Sequence, residues 1–253
     1  KSIGIGASKM QISVVSLFPE MVREIGKYGV VGRAYQRKLF TLQTENPRDY
    51  VEGDYKNVDD KPYGGGEGMV IMAEPLEKSL KDIPDDLLGR VINLSPQGKL
   101  LNHKKAKELS SLTCITIIAG RYEGIDERFI SQYIHEEISI GDFILSGGEF
   151  AALALIDSLS RFIPGVIGNV RSVEQDSLSQ GLLKGPVFTR PENFNAELVP
   201  EILLSGDHQK IEEWRENQAL VRTFERRPEL LQNIKLTKKQ KKLLEDLASK
   251  RIL

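Results

Sequence analysis

The stretch Ile138–Phe162, ISIGDFILSGGEFAALALIDSLSRF, decides how this chain is read. Its first part carries Ile138, Ile140, Phe143, Ile144 and Leu145 and reads as a strand or a buried loop. Ser146-Gly147-Gly148-Glu149 follows with the spacing of a capping box. In that motif the Ser hydroxyl accepts from the amide three residues on and the Glu reaches back. This predicts a helix starting near Gly148. Leu153, Ile156 and Ser160 would share one face and Leu155, Leu159 and Phe162 an adjoining one, so the helix should be largely buried. Pro164-Gly165 ends it. Two glycines at a helix start let a ligand approach the backbone, although a plain strand-to-helix turn would use the same residues.

Working outward toward the N-terminus, Thr113–Ala119 is a strong strand that ends in Gly120-Arg121-Tyr122-Glu123-Gly124, with a helix following from Asp126. Arg90–Leu94 is a strand followed at once by Ser95-Pro96-Gln97-Gly98, and Asn102–Leu112 is helical. Gln11–Phe18 reads as the first strand. Pro19-Glu20 opens a short helix, Val31–Leu39 suggests another, and Phe40–Thr44 is a possible strand. Met69–Met72 is a strand and Glu74–Lys81 a helix. Strands and helices alternate, which predicts an α/β domain with a mostly parallel sheet. Three strands end in unusual loops, after Leu94, Ala119 and Ile140. Ligands of such sheets sit at the carboxyl ends of strands, so three loops from one end could make one pocket.

Between these elements lies Val58–Met69, VDDKPYGGGEGM. Four of the five residues from Gly64 to Gly68 are glycine, a loop costly to order. It lacks the Gly-Lys-Ser/Thr ending of a phosphate-binding loop. It reads either as a surface loop or, better, as backbone that a planar base or ribose can approach.

Toward the C-terminus the pattern changes. Ser172–Pro191, SVEQDSLSQGLLKGPVFTRP, is polar with little period and reads as a linker or lid. From Ser172 to Pro186 it has few apolar residues, too few to hold one conformation unaided. The remainder is helical. Asp207–Phe224 carries Ile211, Trp214, Val221 and Phe224 near helical spacing, which makes Trp214 a core residue. Thr237-Lys238-Lys239-Gln240 is a second capping box. Arg222, Arg226, Arg227, Lys235, Lys238, Lys239, Lys241 and Lys242 crowd this region, as a solvated face or as a patch for phosphates.

The 253 residues allow one large domain or two modest ones. A formal net charge of -1 leaves any nucleic-acid site to a local patch. The one cysteine, Cys114, excludes a disulfide within the chain, fits a reducing cytoplasm, and is expected to be a small buried hydrophobe. No apolar run approaches the length of a membrane span. Lys1–Lys9 precede Met10 and are expected to be a leader or an expression remnant outside the fold. Their Gly4-Ile5-Gly6 has neither a preceding strand nor the third glycine of a dinucleotide fingerprint.

Taken together in order, KPYGGGEGM, SPQG, AGRYEGIDER, SIGDFILSGGE, SRFIPGV, EQDS, GLL, FTRPE and the LLSGDH-to-RRPELL run resemble the bacterial tRNA (guanine-37, N1)-methyltransferase family. The resemblance runs from Met10 to about Leu253. It implies a SPOUT-type domain with a deep trefoil knot over residues 10–169, a flexible interdomain linker or lid over 170–190, and a small helical tRNA-binding domain over 191–253. It implies S-adenosylmethionine as methyl donor, a magnesium requirement, tRNA with guanine at position 37 as substrate, and a cytoplasmic homodimer whose subunits share the active site. By the same resemblance Ser95, Pro96, Gly120, Tyr122, Glu123, Ile140, Gly141, Asp142, Phe143, Ile144, Leu145, Gly147 and Gly148 are expected cofactor contacts. Asp59, Gly68 and Arg161 would lie near the target base. Asp176 would be the catalytic carboxylate and Arg161 the guanidinium facing the base.

The chemistry asks for such a pair. N1 of guanine carries a proton at neutral pH, so attack on a sulfonium methyl needs a base near N1 and a positive group near O6. Arg suits the second task because it stays charged and presents a fixed fork of donors. Read without the resemblance, Asp176 would be a linker or capping residue and Arg161 a partner of a helix C-terminus. The chain departs from the family pattern at Gln175, Leu178, Lys184, Ile138 and Phe188. Lys184 stands where an acidic residue often holds the cofactor's amino group, so that contact is not carried over. A ribose 2′-O-methyltransferase would not call for Asp176, a catalytically silent RNA-binding protein would not need Asp176 and Arg161, and a nucleotide hydrolase would need the absent phosphate-binding loop.

Overall fold

The computed structural model describes residues 9–168, 177–178 and 181–251. The chain divides into two compact units, Lys1–Gly168 and Asn169–Leu253. In order, the first contains β1 (Met10–Ser16), α1 (Pro19–Arg23), α2 (Gly29–Gln36), β2 (Phe40–Glu45), β3 (Asp59–Asp60), β4 (Val70–Ile71), α3 (Ala73–Lys81), α4 (Asp85–Leu88), β5 (Arg90–Leu100), α5 (His103–Ser110), β6 (Cys114–Ala119), α6 (Glu127–Tyr133), β7 (Glu136–Ser139) and α7 (Glu149–Ser160).

Five strands form one sheet in the order β2-β1-β6-β5-β7, and every pairing in it is parallel. Parallel strands between helical layers are buried on both faces, which explains why the inner strands are apolar nearly throughout. Side chains alternate across β6: Ile115 and Ile117 join Leu155, Ile156 and Leu159 of α7 on one face. Ile118 and Val91 join Leu76, Leu80 and Phe129 on the other. Leu155, Ile156 and Leu159 are fully buried, as the sequence pattern requires of this helix. All five strands point one way, so the segments after β1, β5, β6 and β7 emerge at one edge.

Two local expectations are corrected. The strand from Arg90 does not stop at Leu94. It resumes pairing with β7 after a register shift, Leu94 and then Lys99 both facing Ile138, so Ser95–Gly98 loops out between two paired segments. Gly98 permits this because a Cβ there would come within 2.4 Å of the Glu137 and Ile138 backbone. The Ser146–Glu149 capping box does not form. Gly148 is the N-cap of α7 without a side-chain bond, and Glu149 turns inward to other partners.

The second unit holds β8 (Asn193–Phe194), β9 (Glu197–Leu198), α8 (Glu201–Leu204), α9 (His208–Arg226) and α10 (Lys238–Arg251). Its capping box forms as expected: Thr237 N–H donates to Gln240 Oε1 at 2.9 Å, and Gln240 N–H to Thr237 Oγ1 at 3.3 Å. Trp214 is only half-buried, its ring tilted against Phe188 at 6.4 Å. Of the expected lid, 172–176 and 179–180 lie outside the described residues. Part of what is described makes hydrogen bonds to the chain around it. Leu183 N–H donates to Thr223 Oγ1 of α9 at 2.9 Å, and Lys184 N–H to Ser177 Oγ at 3.0 Å. Cys114 is half-buried, its thiol donating to the Asp86 carbonyl. Among the described residues no helix is long and apolar enough to cross a membrane.

Candidate cofactor cleft

A cleft of about 490 Å³ opens at the carboxyl edge of the sheet, walled by the segments after β5, β6 and β7. Ser95, Pro96, Gly120, Tyr122, Glu123, Ile140, Gly141, Phe143, Ile144, Leu145, Gly147 and Gly148 all line it. Three loops far apart in sequence thus make one site because the strands feeding them are parallel and adjacent. Asp142 is exposed and is not among the lining residues.

The loops are locked together by close backbone approach. Gly148 N–H donates to the Gly120 carbonyl at 2.7 Å, and Arg121 bridges Gly147 in an isolated antiparallel pair. A Cβ on Gly148 would lie 2.8 Å from Ala119 Cα, and one on Gly147 would lie 2.4 Å from Glu149 Oε2. These two glycines are needed for space, which lets the start of α7 sit directly on the end of β6.

Under this contact lies a polar network. Glu149 is wholly buried; its carboxylate accepts from Ser16 Oγ at 2.8 Å and from Arg121 Nε at 3.1 Å, with Arg121 Nη2 at 3.0 Å. Arg121 Nη1 also donates to the Ser146 carbonyl, and its guanidinium lies 4.2 Å above the Phe18 ring. A buried carboxylate survives only when paired and hydrogen-bonded, and this one also faces the positive end of α7. Sequence reading missed the network, since Ser16 is 133 residues from Glu149.

A further pair missed by sequence reading sits on the cleft wall. Asn93 of β5 is opposite Glu137 of β7, and its Nδ2 donates to Glu137 Oε1 at 2.7 Å. Asn93 is 4% exposed and its Oδ1 has no hydrogen-bond partner among the described residues.

The glycine-rich stretch borders the same site. Ile71 N–H donates to the Gly124 carbonyl and Glu123 N–H to the Met69 carbonyl, so β3 and β4 dock on the segment after β6. Asp59 pairs with Ile71. A Cβ on Gly68, whose φ is +86°, would meet the Glu123 side chain at 2.5 Å. Tyr122 is held at φ +60°, a left-handed conformation costing roughly 1–3 kcal/mol, and Arg48 donates to its hydroxyl. Asp126 caps α6 by accepting from Arg128 N–H, and the Arg128 side-chain bonds hold its carboxyl below the usual range.

Arg161 stands elsewhere. It is the exposed C-cap of α7, thirteen residues beyond Gly148, a span of about 20 Å. Asp176 lies outside the described residues. Among the described residues no group of three His, Cys, Asp or Glu is placed to hold a metal.

A family model described as tRNA (Guanine-1)-methyltransferase TrmD matches residues 10–233. A Psychromonas ingrahamii protein named tRNA (guanine-N(1)-)-methyltransferase is 51% identical over 247 residues, 95% of this chain and 99% of that protein. Relatives of the same name from Pseudoalteromonas atlantica and Shewanella halifaxensis are each 50% identical, over 92% and 94% of this chain and 89% and 96% of their own lengths.

Proposed function

The chain belongs to the tRNA (guanine-1)-methyltransferase family, and from that premise we propose that it methylates N1 of guanine 37 in tRNA, drawing on S-adenosylmethionine bound in the cleft at the carboxyl ends of β5, β6 and β7. That cleft is the observation that carries the reading. Its volume falls within the range of about 300–1,000 Å³ typical of small-molecule sites. Leu94, Ile140 and Leu145 give it apolar wall for a planar base, and Ser95, Asn93 and Glu137 give it polar groups. The donor set therefore fits the cofactor, which when bound supplies an electrophilic methyl on a sulfonium.

The remaining work belongs to the chain's own groups. Asp176 takes the proton from guanine N1, a contribution of roughly 10²–10⁴ in rate. Arg161 meets the charge that develops on O6. Gly68, against the Glu123 side chain, and Asp59, paired with Ile71, hold the target base. The distance between Gly148 and Arg161 along α7 supports a site assembled from two copies, the cleft of one and the Arg161 end of the other. Exposed Phe143, Ile144 and Phe150, in and next to the loop entering α7, are apolar surface of the kind a partner covers. The loop 141–148, inserted beside the segments after β5 and β6, supports the trefoil knot. The lysine-rich second unit supplies the tRNA-binding surface, and the enzyme works in the cytoplasm. Magnesium, implied by the resemblance, finds no three-residue acidic or histidine cluster among the described residues, and no step is routed through it.

The test is transfer of labelled methyl from S-adenosylmethionine to two tRNA transcripts differing only at position 37. Label should enter the guanine transcript, with reverse transcription blocked at that base. Equal label on the adenine transcript, or label on ribose, overturns the assignment.

A further inference from the structure

Ser146 and Glu149 have the spacing to cap α7, yet Gly148 carries no side-chain cap and the Glu149 carboxylate is turned into the interior. A lost cap and a buried charge both cost stability. The charge is satisfied instead by a chain of donors from three segments. Glu149 accepts from Ser16 Oγ and Arg121 Nε, and Ser16 Oγ accepts in turn from Phe18 N–H at 3.0 Å. A local rule set aside at a helix start and replaced by a satisfied buried network is the pattern expected of a functional site. The network bears the loop 141–147, which has neither helix nor strand of its own and gives Ile144 and Leu145 to the cleft wall. Arg121 Nη1 donates to the Ser146 carbonyl at 3.3 Å while Nε and Nη2 hold Glu149. Gly147 rests on the pair itself: a Cβ there would lie 2.4 Å from Glu149 Oε2 and 2.6 Å from Arg121 Nε. The planar fork of a guanidinium can hold a carboxylate and a carbonyl at once, whereas an ammonium has no such fixed geometry.

We infer that Arg121, aimed by the buried Glu149, is a positioning residue that holds the loop 141–147 in the shape that receives the cofactor. This rests on the cleft being the S-adenosylmethionine site. Glu149 acts wholly from behind the wall, since it has no exposure and does not line the cleft. Its effect on the cofactor passes through Arg121 to Ser146 and Gly147, and from them to their neighbours in the loop.

The experiment uses the full-length protein and three readouts: melting temperature, calorimetry with S-adenosylhomocysteine, and methyl-transfer rates at varied S-adenosylmethionine. Arg121→Lys keeps the charge beside Glu149 and gives up the fork. It should weaken S-adenosylhomocysteine by about tenfold, raise KM for S-adenosylmethionine by a similar factor, and leave kcat at saturating donor within about threefold. Glu149→Gln keeps the shape and the acceptor for Ser16 but releases the guanidinium, and should weaken binding by about fivefold. Leu80→Ala, in the core cluster on the other face of the sheet and away from the cleft, is the control for stability alone. It should melt lower and bind as the unsubstituted protein does. If neither charged variant folds, Ser16→Ala removes one neutral donor and carries the same test, with a loss of about threefold. Unchanged affinity and KM in the variants that fold, or an equal loss in Leu80→Ala, reduces the pair to a stabilising contact and overturns the inference. A fall in kcat with KM unchanged overturns it too, because the loop then serves the chemical step and not the donor's binding. Failure of the unsubstituted protein to bind S-adenosylhomocysteine would instead strike at the cofactor assignment.

Discussion

Arg121 and Glu149 are joined by an ion pair whose carboxylate has no solvent exposure and whose guanidinium side chain keeps 21% of its own. The two partners therefore face different fates when the other is lost. Arg121→Ala strands a charge in the interior, whereas Glu149→Ala leaves a guanidinium that can turn toward water. Breaking a buried pair this way costs roughly 3–5 kcal/mol. Arg121→Ala should lower the melting temperature by about 10 °C, and Glu149→Ala by less. Thermal melts of the two variants check the order, and a larger loss in Glu149→Ala would contradict it.

The start of α7 sits too close to β6 for even a methyl group. Gly148→Ala brings its Cβ against Ala119 Cα and Gly120 N, both backbone atoms that yield only if the helix moves. The expected cost is about 1–3 kcal/mol, with a matching loss of cofactor affinity. Gly168→Ala, with nothing within 4 Å, is the control and should change neither. Denaturant melts and calorimetry of both variants give the comparison.

Sequence pattern carried the alternation of strands and helices, the buried face of α7 and the convergence of three loops, because each follows from local periodicity and the parallel rule. It did not carry what depends on pairing across the chain. The loop-out at Ser95–Gly98 arises because Leu94 and Lys99 both face Ile138. The capping box at Ser146 failed because Glu149 found Arg121 and Ser16, partners that no local spacing announces. The same box at Thr237 formed, its Gln240 side chain accepting from the Thr237 amide.

Acid should loosen α6. The folded-state pKa of Asp126 is depressed, first by the Arg128 side-chain bonds. Its contribution is therefore present above the unfolded carboxylate value and disappears as pH falls through the lower folded one. Asp126→Asn should cost about 1 kcal/mol at pH 7, and the gap to the unsubstituted protein should close below about pH 4. Denaturant melts across that range show whether it does; a gap constant with pH would remove Asp126 from the account.

Lys235, Lys238, Lys239, Lys241 and Lys242 are exposed on and before α10. Each phosphate contact releases counterions, so tRNA affinity should fall linearly with the logarithm of salt. Exchanging Lys241 and Lys242 for Gln should lower that slope by about 2 in filter-binding titrations. An unchanged slope would return these lysines to a purely solvated face.

The central claim is that the cleft of one copy works with the Arg161 end of α7 from another. Its most direct measurement is methyl transfer by a mixture of two inactive proteins, Arg161→Ala and Gly148→Val, after exchange of subunits has been verified with tagged chains. The mixed pair contains one site with an intact cleft and an intact Arg161 from the partner, and activity should return in proportion to the mixed species. If exchange is complete and no methyl reaches tRNA, each chain supplies its own arginine and the shared site is wrong.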